Sequence, residues 1–363
     1  MNLYQLLRKI IFSVLLIGMN LVFLHAELDT GGLQVIMPDN SKIKYFGRVN
    51  LSNPQQPAFS WPGVYIKFKC ATSALRIKMK DTHNKYNLLV DGVFSKDFVT
   101  TSGEQEFDLI QNSTDTAVHE FTIYKKSENT GAAAILLGLA VDQSSTLLDV
   151  PIRPRRIEFI GDSFTVGYGN TAPATTGFDV WETTDNYQTY GRLLADFFNA
   201  EFMINAWSGR GLVKNYGGKK PDPNAYPAMY LRAVQSSAAP VWNDWSFNPN
   251  LVVIFLGIND YSTPSAYLPT KEEYQAAYLK LIEGARKNYQ SPKILCLGYG
   301  SMTFTAYVRD LVDTEKAAGK TDVAFGEFPD IGTNRGMHSH PNVTAHQNNY
   351  EALKAPITSL MNW

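Results

Sequence analysis

From residue 27 to about residue 150 the chain runs in a two-residue period. Val64–Cys70, Leu75–Met79, Tyr86–Val90 and His119–Lys125 alternate apolar and polar positions or are rich in β-branched and aromatic residues. Turn formers separate them roughly every 8–12 residues. Successive side chains of a strand point to opposite faces, so this period predicts half-buried antiparallel strands. Asp91-Gly92, between Leu89-Val90 and Val93-Phe94, predicts a tight hairpin. Residues 27–150 are therefore expected to form an all-β sandwich domain.

The pattern changes at Asp149–Pro154, a short linker punctuated by Pro151 and Pro154. Beyond it, apolar runs alternate with amphipathic stretches. Strands are predicted at Ile157–Ile160, Phe202–Asn205, Leu251–Phe255, Ile294–Leu297 and Val323–Phe325. Helices are predicted near Tyr187–Phe198, Pro227–Val234, Lys271–Asn288, Ala306–Ala318 and Val343–Met361. In Lys271–Asn288, the residues Tyr274, Ala277, Tyr278, Leu281 and Ile282 share one face. Repeated β-α units predict an α/β domain over 151–363, a mainly parallel sheet covered by helices on both sides. Such sheets bind ligands at the carboxyl ends of their strands.

The first 26 residues follow another rule. Arg8 and Lys9 precede the apolar run Ile10–Phe23, and Leu24-His25-Ala26 ends on a small residue. This predicts a secretory signal peptide over 1–26, and a secreted or periplasmic protein. The apolar run is slightly short for a membrane anchor, and no other segment is long and apolar enough to span a bilayer. Composition fits a protein with a sizeable core: 44% hydrophobic and 12% aromatic in 363 residues. With 33 basic and 34 acidic residues and no long run of one sign, nothing points to nucleic acid or an anionic membrane surface. Cys70 and Cys296 lie in different halves of the chain and read as two packed thiols.

Candidate chemistry sits just past strand ends. Gly161-Asp162-Ser163-Phe164 follows the strand Ile157–Ile160 and holds a serine hydroxyl in a glycine-containing turn, as a nucleophile requires. Alone, the triplet is as well read as a simple turn. Asn205-Ala206-Trp207-Ser208-Gly209-Arg210-Gly211 follows the second strand and Gly257-Ile258-Asn259-Asp260 the third. His338-Ser339-His340-Pro341 precedes the last helix. Ester hydrolysis needs a nucleophile, a base for its proton and donors for the developing oxyanion. Ser163 supplies the first and His340 the second. The Ser163 and Gly209 amides and the Asn259 side chain are candidates for the third, with Gly211 as a local competitor to Gly209. Asp162 and Asp260 read as turn-tying residues.

In their order serine, glycine, asparagine, histidine, these segments resemble the four blocks of the SGNH, or GDSL-type, hydrolases over about residues 155–360. The upstream sandwich, Ser208-Gly209-Arg210-Gly211-Leu212 and His340-Pro341-Asn342-Val343 together resemble carbohydrate esterase family 2. Arg48 and Trp61 fall where that family's sandwich has similar residues. The resemblance implies a three-layer α/β/α SGNH domain preceded by a jelly-roll domain. It also implies an exported esterase that removes O-acetyl groups from plant polysaccharides such as acetylated xylan or glucomannan. No metal or organic cofactor is expected, and the protein is expected to act as a monomer, off the membrane once its leader is cleaved.

One part of the family pattern is missing. The superfamily places an aspartate three residues before the histidine, and family 2 often two; here those positions are Met337 and His338. The group that orients His340 is then a main-chain carbonyl near His338, the His338 ring, or a remote carboxylate such as Glu327 or Asp330. The carbonyl, giving a Ser-His dyad, is the favoured expectation. His338, His340 and His346 suggest zinc only weakly, since no acidic or cysteine partner stands at zinc-like spacing. Trp207 and Tyr216, and with them Tyr261, are candidate sugar platforms. Two rival readings are a lipase or lysophospholipase on the same fold, and a carbohydrate-binding protein that has lost turnover.

Overall fold

A computed structural model describes residues 31–115, 117–128 and 131–363; the expected signal peptide lies outside them. The two-residue period becomes two antiparallel sheets. One runs in the order Val49–Asn50, Ala58–Phe59, Ala134–Val141, Leu75–Asp81, Gly103–Ile110, with Gln34–Ile36 also on Ala134–Val141. The other runs Lys44–Phe46, Tyr65–Ala71, Val118–Lys125, Lys85–Val90, Val93–Val99. Ile66, Phe68, Phe121 and Ile123 from one sheet meet Ile77, Met79, Leu136 and Leu139 from the other in a shared core. Asp91 and Gly92 take φ of 52° and 79°, the left-handed pair that joins Lys85–Val90 to Val93–Val99 in a two-residue hairpin.

The second half forms a five-stranded parallel sheet in the order Ala200–Ala206, Arg155–Gly161, Leu251–Phe255, Lys293–Tyr299, Val323–Phe328. Helices Tyr190–Phe197, Lys271–Asn288, Thr303–Ala317 and Val343–Met361 flank it. Tyr274 and Tyr278 sink into the core, their hydroxyls donating to the carbonyls of Leu256 (2.6 Å) and Ile254 (2.9 Å). The chain reverses its direction of sheet growth on either side of Arg155–Gly161, which makes the carboxyl end of that strand the natural crevice.

One predicted element is corrected. Pro227–Val234 is not a single helix: a short helix, Tyr226–Met229, gives way to a hairpin of Arg232–Val234 with Ser237–Val241. The cause is tertiary. Trp61 Nε1 donates to the Ala233 carbonyl (3.1 Å), and the Gln235 amide donates to Ser60 Oγ (2.8 Å). The sandwich thus takes backbone groups that a helix would have paired internally.

The two halves share their cores. Phe46, Tyr65 and Tyr124 of the sandwich pack into the α/β core, while Trp207 and Met229 pack into the sandwich core. Polar ties cross the same boundary: Tyr65 Oη to Glu201 (2.5 Å), Lys67 Nζ to Glu201 (3.1 Å) and Tyr124 Oη to Asn186 (2.7 Å). Cys70 and Cys296 are buried free thiols, one in each half. Among the described residues no helix is long and apolar enough to cross a membrane.

Candidate active site

Strand Arg155–Gly161 ends in a one-turn helix, Ser163–Val166. Asp162 caps it, its carboxylate accepting the Phe164 amide at 3.0 Å. Gly161 is needed at the turn because a side chain there would collide with Thr165. Ser163 is thereby set at the carboxyl end of the sheet, with its Oγ 2.9 Å from His340 Nε2. That distance suits a hydroxyl donating to a neutral imidazole.

The histidine arrives on a loop laid against the serine turn. The Met337 amide donates to the Gly169 carbonyl (3.1 Å), the His338 amide to Thr175 (2.8 Å) and the Val343 amide to Asn170 (3.1 Å). A Cβ on Gly336 would strike the Gly169 carbonyl, so the two backbones touch where glycine alone fits. His338 and Ser339 take φ of 49° and 62° and swing the imidazole back toward the serine. The Met337 carbonyl lies 3.2 Å from His340 Nδ1 and also accepts the His340 amide at 3.0 Å. The ring sits between Tyr168 (4.4 Å between centroids) and Phe164 (5.8 Å). Burial pushes the imidazole down to about 4, and the Met337 hydrogen bond pulls the other way.

The other orienting candidates are engaged elsewhere. His338 is exposed, with its Nδ1 3.0 Å from Tyr168 Oη. Glu327 pairs with Arg309 (2.9 Å), and Asp330 accepts the Gly332 amide (2.8 Å). His346 lies fully buried, 6.2 Å from the parallel Tyr190 ring. Among the described residues, no three His, Cys, Asp or Glu gather as metal ligands.

Gly209 lies at φ 78°, its carbonyl accepts the Tyr216 amide at 2.9 Å, and a Cβ there would meet only Tyr216, at 4.0 Å, so the space beside its α carbon is open. Gly211 is a turn residue: its amide donates to Asn215 (3.2 Å), and a side chain would collide with the Lys214 carbonyl. Asn259 reaches the same place, but its Nδ2 already donates to the Arg210 carbonyl (2.9 Å) and to Asp162 (3.2 Å). With two hydrogens on that nitrogen, serving a substrate oxygen means giving up one bond, and the longer one, to Asp162, yields first. Asp260 ties the loop down by accepting the amides of Leu212 (2.8 Å), Val213 (2.7 Å) and Lys214 (3.2 Å). Burial raises the Asp162 carboxyl to about 7, with the Asp260 charge adding to it, and raises Asp260 to about 6.

Of the two aromatic candidates, Tyr216 stands 71% exposed beside Gly209. Trp207 corrects the expectation of a platform: it is 8% exposed, edge-on to Trp61 (6.3 Å) and covered by the Arg210 guanidinium (4.2 Å). It is a joint between the two halves. Sequence reading missed two neighbours of the site. Tyr168, in Gly167-Tyr168-Gly169, stands close enough to Ser163 to have been found. Glu128, which accepts the Ser208 amide at 2.7 Å, comes from the sandwich and carried no local signal.

Comparison with known proteins puts the second half of the chain among GDSL-like hydrolases: the GDSL-like Lipase/Acylhydrolase family matches residues 159–347. The first half matches the Carbohydrate esterase 2 N-terminal family over residues 45–151. The chain therefore belongs to carbohydrate esterase family 2. The Cellulase/esterase CelE of Acetivibrio thermocellus is 31% identical over 335 residues, which cover 90% of this chain and 40% of CelE, so the chain spans less than half of that relative. An Acetylxylan esterase / glucomannan deacetylase of Cellvibrio japonicus is 34% identical over 255 residues, 67% of this chain and 69% of its own. A solved family two carbohydrate esterase from Clostridium thermocellum, in complex with cellohexaose, gives a TM-score of 0.81 at 30% identity, covering 88% of this chain and 99% of that one.

Proposed function

We propose that this protein is an exported esterase that removes O-acetyl groups from plant polysaccharide through a Ser163–His340 dyad. The observation that carries the reading is the relay from Ser163 Oγ to His340 Nε2 (2.9 Å) and from His340 Nδ1 to the Met337 carbonyl (3.2 Å). The names of the relatives, an acetylxylan esterase / glucomannan deacetylase and a carbohydrate esterase, support acetylated xylan or glucomannan as the substrate class. The leader over residues 1–26 and the division at about residue 150 belong to the same reading.

Ser163 Oγ attacks the acetyl carbonyl carbon while its proton passes to His340 Nε2. The amides of Ser163 and Gly209, and Asn259 Nδ2 once it leaves Asp162, hold the oxyanion. Collapse expels the sugar oxygen, which takes the proton back from Nε2 and leaves an acetyl-serine. Water, deprotonated by the same nitrogen, adds to the acetyl carbon, and collapse breaks the bond to Ser163 Oγ, which takes the proton back from Nε2 as acetic acid leaves. Tyr216, exposed beside Gly209, offers a ring face on which a sugar can stack.

The test is acetate release from acetylated xylan or glucomannan. Ser163→Ala and His340→Ala are expected to abolish it, by a factor on the order of 10⁴ or more, while His338→Ala costs less than about tenfold. A loss for His338→Ala as deep as for His340→Ala defeats the carbonyl-oriented dyad. Faster turnover of octanoyl than acetyl esters means a lipase, and acetate release unaffected by Ser163→Ala overturns the nucleophile assignment.

A further inference from the structure

The loop that carries Gly209 is held from both halves of the molecule. Its far end is fixed by Asp260 through the Leu212, Val213 and Lys214 amides, and its middle by Asn259 through the Arg210 carbonyl. Its near end begins at Trp207, whose amide extends the sheet by donating to the Gly161 carbonyl at 3.1 Å. Between these anchors lies Ser208, and its amide donates to Glu128 Oε1 at 2.7 Å.

The three residues that lead to Glu128 are tied to both halves. The carbonyl of Lys125 accepts the Gly63 amide (3.0 Å), and that of Lys126 accepts the Asn186 amide from the α/β half (2.9 Å). Ser127 Oγ accepts the Lys85 amide (3.0 Å) and donates to Asn84 (2.9 Å). Burial pushes the Glu128 carboxyl up from its ordinary range, while the Ser208 bond and the Lys125 and Arg210 charges pull it down. A short bond from a backbone amide to a carboxyl is among the stronger ones a loop can have.

The Ser208 amide lies in the peptide plane immediately before the one that presents the Gly209 amide. Fixing the first plane restricts the second, because only the two dihedrals of Ser208 lie between them. We propose that Glu128 is a positioning residue for the Gly209 oxyanion donor, so that the β-sandwich domain completes the esterase site. The proposal rests on the reading of Gly209 as an oxyanion donor.

The experiment uses the full chain with p-nitrophenyl acetate, measuring kcat and KM separately, and a p-nitrophenyl phosphonate that reacts with the active serine to leave a tetrahedral adduct. Glu128→Ala is expected to lower kcat at least tenfold with KM within about twofold, and to slow phosphonylation by a similar factor, since a loosened donor forfeits part of the 10²–10³ or so that one donor contributes. Glu128→Gln keeps an oxygen for the Ser208 amide and is expected to recover the larger part of the loss at equal thermal stability. Turnover by Glu128→Ala within twofold of native overturns the proposal, as does a Glu128→Gln variant no better than Glu128→Ala. If the alanine variant does not fold, Glu128→Asp, too short to reach, must show the kcat loss, and native turnover in it is equally fatal. Ser163→Ala, run alongside, separates the failures. Turnover that survives Ser163→Ala removes the underlying reading and this proposal together; Ser163-dependent turnover indifferent to Glu128 removes this proposal alone.

Discussion

A peptide carbonyl and a carboxylate do different things to an imidazole. Both accept the Nδ1 proton and fix the tautomer, but only the carboxylate adds a full charge that favours the imidazolium. At His340 the acceptor is the Met337 carbonyl, and burial dominates, taking the group down to about 4. Only neutral His340 can accept the serine proton, and the neutral form persists at every pH above that value. The His340 limb of kcat/KM, which reports the free enzyme, is therefore expected near pH 4, and any step between pH 8 and pH 6 belongs to Asp162, raised to about 7, or Asp260, raised to about 6. A limb centred near 6.5, the ordinary value for histidine, that persists in both Asp162→Asn and Asp260→Asn would show that the His340 ring is not held in this dry setting. The sequence made half of this readable: the absence of aspartate at Met337 and His338 pointed to a carbonyl. Which carbonyl it is depends on the left-handed turn at His338 and Ser339, and nothing in the two residue types announces such a turn.

At the level of elements, the site is a meeting of two loops. The serine turn runs on to Gly169-Asn170 and the histidine loop runs from Gly336, and they share bonds at Met337–Gly169 and Val343–Asn170. Gly336→Ala would thrust a methyl group into the Gly169 carbonyl and push the loops apart. Overpacking of this kind costs roughly 1–3 kcal/mol of stability. Displacing a catalytic group by an ångström costs on the order of 10²-fold in rate. Gly336→Ala is thus expected to lower kcat on acetyl esters about a hundredfold while the protein still melts cooperatively a few degrees lower. A variant that melts lower yet turns over at the native rate would mean the contact supports the fold and not the aim of His340. The strands and helices around these loops were legible because each carries its own period, as Leu251–Phe255 and Lys271–Asn288 do. The hairpin at Arg232–Val234 was not. Its residues keep a helical spacing, and the side chains of Trp61, Ser60 and Arg48, all far earlier in the chain, turn them into strand.

For the molecule as a whole, the sequence divides into two domains more cleanly than the structure does. Local periodicity cannot reveal an interface, because its partners are far apart in the chain; Arg48, Trp61, Trp207 and Glu128 all belong to it. Its centre is Arg48, fully buried, with its guanidinium 3.2 Å from Glu158, 4.6 Å from the Trp242 ring and 4.8 Å from the Tyr230 ring. It also donates to the carbonyl of Tyr230. Glu158 sits on the strand that ends at Ser163 and accepts from Tyr230 Oη and Asn205 Nδ2, each at 3.2 Å. Removing the arginine alone leaves a buried carboxylate without its cation, a loss of about 3–5 kcal/mol, whereas replacing both members with apolar groups is often nearly neutral. Arg48→Met is therefore expected to lower the midpoint of urea unfolding sharply, in one transition that carries both halves. The double variant Arg48→Met, Glu158→Met is expected to regain most of that loss. Two separate transitions in the single variant would mean that the halves are stable apart and the interface only joins them. A single variant as stable as native would mean that the buried pair contributes nothing to holding the sandwich against the strand that leads to Ser163.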